Sequence, residues 1–147
     1  MSSSAGKPRP ATRAGLGFLA AALSVLTFHA AMWWLLYQAG LMPPPYPMEP
    51  TPPFGVPVIA SLVFWGGLYG VLFGLALPRL RGALPIWGFG LGILACLVGW
   101  FVVAPLKGEP PADGSLLIPI VINGFWGIGV GILAPLMMPR RRSSQFS

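Results

Sequence analysis

The stretch Phe64–Gly82, FWGGLYGVLFGLALPRLRG, is written again at Phe125–Ser143 as FWGIGVGILAPLMMPRRRS, and nine of the nineteen paired positions are identical. Each copy is a run of apolar residues and glycines that ends at a proline followed by arginines. A charge-free run of about 20 residues is what a helix needs to cross the hydrocarbon core of a bilayer. The repeated text therefore reads as a membrane helix with its stop signal attached.

The rest of the chain obeys the same rule. Residues 14–48, 50–78, 82–106 and 114–139 contain no Asp, Glu, Lys or Arg. These runs are apolar all round, whereas a helix on the surface of a soluble protein keeps a polar face. Strands of a membrane barrel would be shorter and would alternate with polar residues. In hydrocarbon the backbone must satisfy its own donors and acceptors, which a helix does. Of the 147 residues, 55% are hydrophobic and 8% charged, with a mean hydropathy of +0.75. A soluble domain carries about 25% charged residues, so this chain has too little charge to cover a surface in water.

The expected fold is an all-α integral membrane protein with four transmembrane helices, at about 15–36, 56–77, 84–105 and 117–138. Residues 1–14 are expected to form a disordered basic tail, and 139–147 a second basic tail. Pro57, Pro85 and Pro119 fall in the first turn of a span, where the missing N–H costs nothing. Pro78 and Pro139 mark span ends, and Pro135 is expected to bend the fourth helix.

Orientation follows from the basic residues. Lys7, Arg9, Arg13, Arg79, Arg81, Arg140, Arg141 and Arg142 fall on one side, and only Lys107 on the other, with Glu49, Glu109 and Asp113. The positive-inside rule then puts both termini in the cytoplasm. A cleaved signal peptide is the rival reading of the first run. That run continues through AMWWLLYQAGL with no small-x-small site after it, so a retained span is expected. The excess of Ala, Gly, Pro and of Arg over Lys suggests a GC-rich bacterial genome, hence an inner membrane.

The two copies of the repeat both run from outside to inside. The expectation is two tandem hairpins related by a pseudo-two-fold axis along the membrane normal, a parallel internal repeat. Chance similarity from glycine and leucine bias is the competing explanation. Within the copies, Gly66, Gly70 and Gly74 recur every fourth residue, as do Gly127 and Gly131. Gly88 and Gly92 begin a similar face on the third span, continued by Cys96 and Gly99. Helices in lipid associate by close van der Waals approach over small residues. These stripes are expected to be packing seams, within the monomer rather than between copies of a homo-oligomer.

Trp33, Trp34, Trp87 and Trp100 lie toward span ends, where indoles favour the interface. Trp65 and Trp126 lie near the midplane at ~1.5 Å per residue. A buried indole N–H needs an acceptor. Ser61 and Asn123 sit one turn away on the same faces. With His29 of the first span they form the candidate intramembrane polar cluster: His29, Ser61, Trp65, Asn123 and Trp126. It has two readings, as hydrogen-bonded ties between helices or as a pocket for a small molecule, a quinone headgroup or a lipid. Haem ligation would need a second histidine, and the chain has one.

No span carries an acid or a base, which ion-coupled transporters keep despite the cost. One cysteine permits neither an intrachain disulfide nor a redox pair. No catalytic, metal or cofactor residues are expected, and no enzyme activity. The net charge of +6 follows from topology and anionic lipid, so no nucleic-acid partner is expected. The proline-dense Gly40–Gly55, GLMPPPYPMEPTPPFG, is expected to be a stiff, extended outer loop offering Tyr46 and Phe54 for contact. The function expected is that of a non-catalytic accessory subunit or small scaffold of a larger membrane assembly. The alternative is a small channel or carrier for an uncharged or anionic solute.

Overall fold

The computed structural model describes residues 8–108 and 116–139. Four helices carry the chain: α1 (Pro10–Gln38), α2 (Val58–Arg79), α3 (Leu84–Leu106) and α4 (Leu117–Met137). All four are long and apolar enough to cross a membrane, and the protein is a multi-pass membrane protein. The end of the bundle that carries residues 39–57 and Lys107 is called distal below; the end with Pro10 and residues 80–83 is proximal.

Helices α2, α3 and α4 begin and end within two residues of the positions expected from charge and proline. Helix α1 differs: it starts at Pro10, inside the segment expected to be a disordered tail. Proline at the first helical position is pre-set for a helix, and Ala11, Thr12, Arg13 and Ala14 extend it. The Arg13 guanidinium donates back to the Pro8 carbonyl at 3.1 Å. Helix α4 runs on through Pro135 to Met137, where the backbone turns extended. Lys7, Glu109, Asp113, Arg140, Arg141 and Arg142 lie outside the described residues, as does the arginine-bearing end of the second repeat copy.

The helices pack side by side in the order α2–α1–α4–α3, and α2 and α3 barely meet. Glycine explains the two tightest pairings. Gly17 of α1 lies against the backbone of Gly70 and Gly74 of α2, and Gly88 of α3 lies against Gly127 and Gly131 of α4. One turn on, Gly92 meets the backbone of Asn123 and Gly124. A Cβ at these positions would run into a facing carbonyl, so backbone touches backbone. Both seams close within one chain. Between them, Ala20, Ala21 and Val25 of α1 pack on Trp126, Val130 and Ala134 of α4, with Phe73 and Leu91 added from the flanking helices.

Two departures from regular helix fall in the distal half. Helix α1 carries a π-helical stretch at Val25–His29 and α3 another at Gly99–Val103. The small face of α3 divides there: Gly92 and Cys96 are buried, whereas nothing lies within 4 Å of the position a Gly99 Cβ would take.

The proline-dense segment is not the extended spacer its composition suggests. It folds back along α1. The Trp33 indole donates to the Pro43 carbonyl at 2.9 Å, and the Tyr46 hydroxyl donates to the Leu26 carbonyl at 3.0 Å. Leu26 lies within the π-helical stretch, where the regular carbonyl ladder is interrupted. Tyr46 takes the left-handed conformation (φ 57°) to make this contact. Beyond it, β1 (Pro50–Thr51) pairs antiparallel with β2 (Val56–Pro57), leaving Phe54 at the tip 88% exposed. Proline removes donors but keeps carbonyls, and here aromatic side chains supply the donors.

Candidate intramembrane cavity

A cavity of about 370 Å³ opens in the distal half, where α2 and α3 stand apart and α1 and α4 form the floor. All five residues of the polar cluster line it. Helix α1 contributes Val25 and His29; α2 contributes Ser61, Leu62, Trp65, Gly66 and Tyr69. Helix α3 contributes Ala95, Gly99, Val103 and Lys107; α4 contributes Asn123 and Trp126. The α3 residues are spaced four apart and form one stripe from mid-bundle to the distal rim. His29 closes one π-helical stretch, and Gly99 and Val103 bound the other, so both backbone irregularities lie in the cavity wall. Such bulges re-aim side chains and collect at functional sites.

The polar groups divide into those tied to protein and those that are not. Trp126 is 2% exposed, and its indole N–H donates to the Ala21 carbonyl of α1 at 3.1 Å. In return the buried Ser24 hydroxyl donates to the Trp126 carbonyl at 2.7 Å. This reciprocal pair joins α1 to α4. The expected partner of Trp126, Asn123, instead turns its amide back on its own helix and donates to the Pro119 carbonyl at 2.9 Å. Ser61 does not accept from Trp65, whose ring is 59% exposed beside Phe64.

His29, Ser61, Trp65 and Tyr69 make no side-chain hydrogen bond among the described residues. His29 is only 7% exposed, and its ring stands 5.7 Å from that of Trp33. It lines the cavity, and its nitrogens make no hydrogen bond among the described residues. Tyr69 meets the Trp126 ring edge-on at 6.4 Å. On the proximal side Ala21, Phe73, Leu91 and Val130 are packed together in the core.

Ser24 and Tyr69 were not among the residues singled out from the sequence, and Lys107 was singled out only as the one basic residue on the outer side. Ser24 had a signal: with Gly17 and Ala21 it continues a small face at helical spacing. The position of Lys107 over the cavity had none, because it depends on the stripe that α3 turns inward. Among the described residues no group of His, Cys, Asp and Glu is arranged to hold a metal. No protein-family model, no curated protein and no solved structure matches this chain.

Proposed function

We propose that this protein is a non-catalytic accessory subunit or small scaffold of a larger membrane assembly, resident in a bacterial inner membrane with both termini in the cytoplasm. The observation that carries this reading is the exposure of the flanking helices. Helix α3 is held along one glycine face only, and leaves Ile86, Trp87, Leu94, Leu97 and Phe101 outward. Helix α2 leaves Phe64, Leu68 and Leu72 outward in the same way. These ridges are open to lipid or to a larger partner's helices, which would meet them by van der Waals packing. Purification in mild detergent tests this: a larger complex of fixed stoichiometry should accompany the protein, and a lone chain or homo-oligomer contradicts the reading.

The orientation rests on Arg79 and Arg81 at the proximal end against Lys107 at the distal end, together with the tails. In a Cys96→Ala background, Phe54→Cys should react with an impermeant maleimide from outside the cell, and Ala83→Cys only after permeabilisation. The reverse pattern overturns the topology. We further propose that the hairpins arose by duplication and are related by an axis along the membrane normal. In support, the two Phe-Trp-Gly elements share a level, since the Trp126 ring lies 3.5 Å from where a Gly66 Cβ would sit.

The cavity favours one second reading. It lies between the hairpins and reaches Lys107 at its rim, as a carrier for an uncharged or anionic solute would require. Solute flux from liposomes containing the purified chain alone would support the carrier over the subunit.

A further inference from the structure

We propose that the cavity between α2 and α3 is a binding site for a neutral amphiphile that presents carbonyl oxygens on an apolar body. The argument starts from the unpaired groups. An imidazole buried to 7% exposure with no partner among the described residues is costly in an apolar setting. Ser61 and Tyr69 line the same space, and their hydroxyls have no hydrogen-bond partner among the described residues. Each of these three groups can donate or accept, but the Trp65 indole, which lines the same space without a hydrogen-bond partner among the described residues, can only donate, so an acceptor on the ligand serves all four.

The remaining wall sets the rest of the ligand. Leu62, Val103 and Ala95 are apolar, and the Trp65 and Tyr69 rings offer faces and edges to a flat or unsaturated group. No charged side chain lies deeper than Lys107 at the rim, which favours a neutral head over an ionised one. The gap between α2 and α3 gives an apolar tail a lateral exit to lipid. A volume of about 370 Å³ falls within the range of small-ligand clefts. Two membrane molecules carry this chemistry: an isoprenoid quinone, through its ring carbonyls, and a glycerolipid, through its ester carbonyls. Binding alone is proposed, with no chemical step, and it stands whether or not a protein partner exists.

Gly99 supplies the decisive variant. It lines the cavity, and nothing lies within 4 Å of its missing Cβ. Gly99→Leu therefore adds bulk to the cavity wall from a position whose Cβ meets no neighbour within 4 Å. Gly90→Leu, on the same helix and equally open but outside the cavity, is the control. The full-length protein in mild detergent is titrated with decylbenzoquinone, and separately with a phosphatidylcholine whose acyl chains are brominated; tryptophan quenching is read. Saturable quenching is expected from at least one probe, and the probe that saturates identifies the source. That affinity should fall about tenfold or more in Gly99→Leu, fall measurably in His29→Leu, and hold in Gly90→Leu. Absence of saturation with both probes, or equal affinity in wild type, Gly99→Leu and His29→Leu, overturns the proposal.

Discussion

Ser24 and Asn123 are both polar side chains within the spans, yet they do different work. Ser24 ties α1 to the Trp126 carbonyl of α4 from a fully buried position, whereas Asn123 bonds within its own helix and faces the cavity. Ser24→Ala should lower stability by about 1 kcal/mol, in line with hydrogen bonds between membrane helices. Asn123→Leu should change it by less than about 0.5 kcal/mol. Thermal unfolding of the two variants in detergent checks both; a larger loss for Asn123→Leu would contradict the assignment. Which residues would gather in the distal half was legible in the sequence, because depth can be counted along an apolar run. Which acceptor Trp126 would find was not. Spacing places Asn123 and Trp126 on one face, but only the docking of α1 decides that the Ala21 carbonyl stands closer to the indole.

The glycines give each hairpin its geometry. Gly88 meets the Gly127 carbonyl, while Gly90, two residues on, faces open space. Gly88→Ala should force α3 and α4 apart and lower stability by about 1–3 kcal/mol. Gly90→Ala should be neutral, or stabilise by up to about 1 kcal/mol through helix propensity. Equal losses in the two variants, measured by unfolding in detergent, would mean that the seam lies elsewhere. The seams could be read from four-residue spacing, and Gly66, Gly70, Gly74, Gly88, Gly92, Gly127 and Gly131 all sit at close approaches. The π-helical stretches could not, since no residue type announces them and they arise where a helix adjusts to its neighbours. The folded-back proline segment was missed for a related reason. Its composition favours an extended chain in water, but its carbonyls and Tyr46 find partners on the distal half of α1. Tyr46→Phe, which removes the donor to Leu26, should make this segment more sensitive to limited proteolysis while leaving the unfolding of the bundle nearly unchanged.

At the scale of the whole molecule, two sealed hairpins dock through α1 and α4 and leave a cavity where α2 and α3 fail to meet. That single asymmetry sets both the exposed ridges proposed for a partner and the site proposed for an amphiphile. The number and length of the helices follow from charge-free runs, which lipid enforces, but their lateral order does not. Residues facing lipid and residues facing another helix are equally apolar, so hydropathy alone cannot separate them. One close contact reports the order: a Cβ placed on Gly129 of α4 would meet Ser24 Oγ of α1, with the Phe28 ring of α1 also against it. In a Cys96→Ala background, the double variant Ser24→Cys, Gly129→Cys should therefore form a disulfide within one chain when oxidised in the membrane, giving a faster-migrating monomer on a non-reducing gel. A link only between two chains, or no link while the protein remains folded, would contradict the packing of α1 against α4.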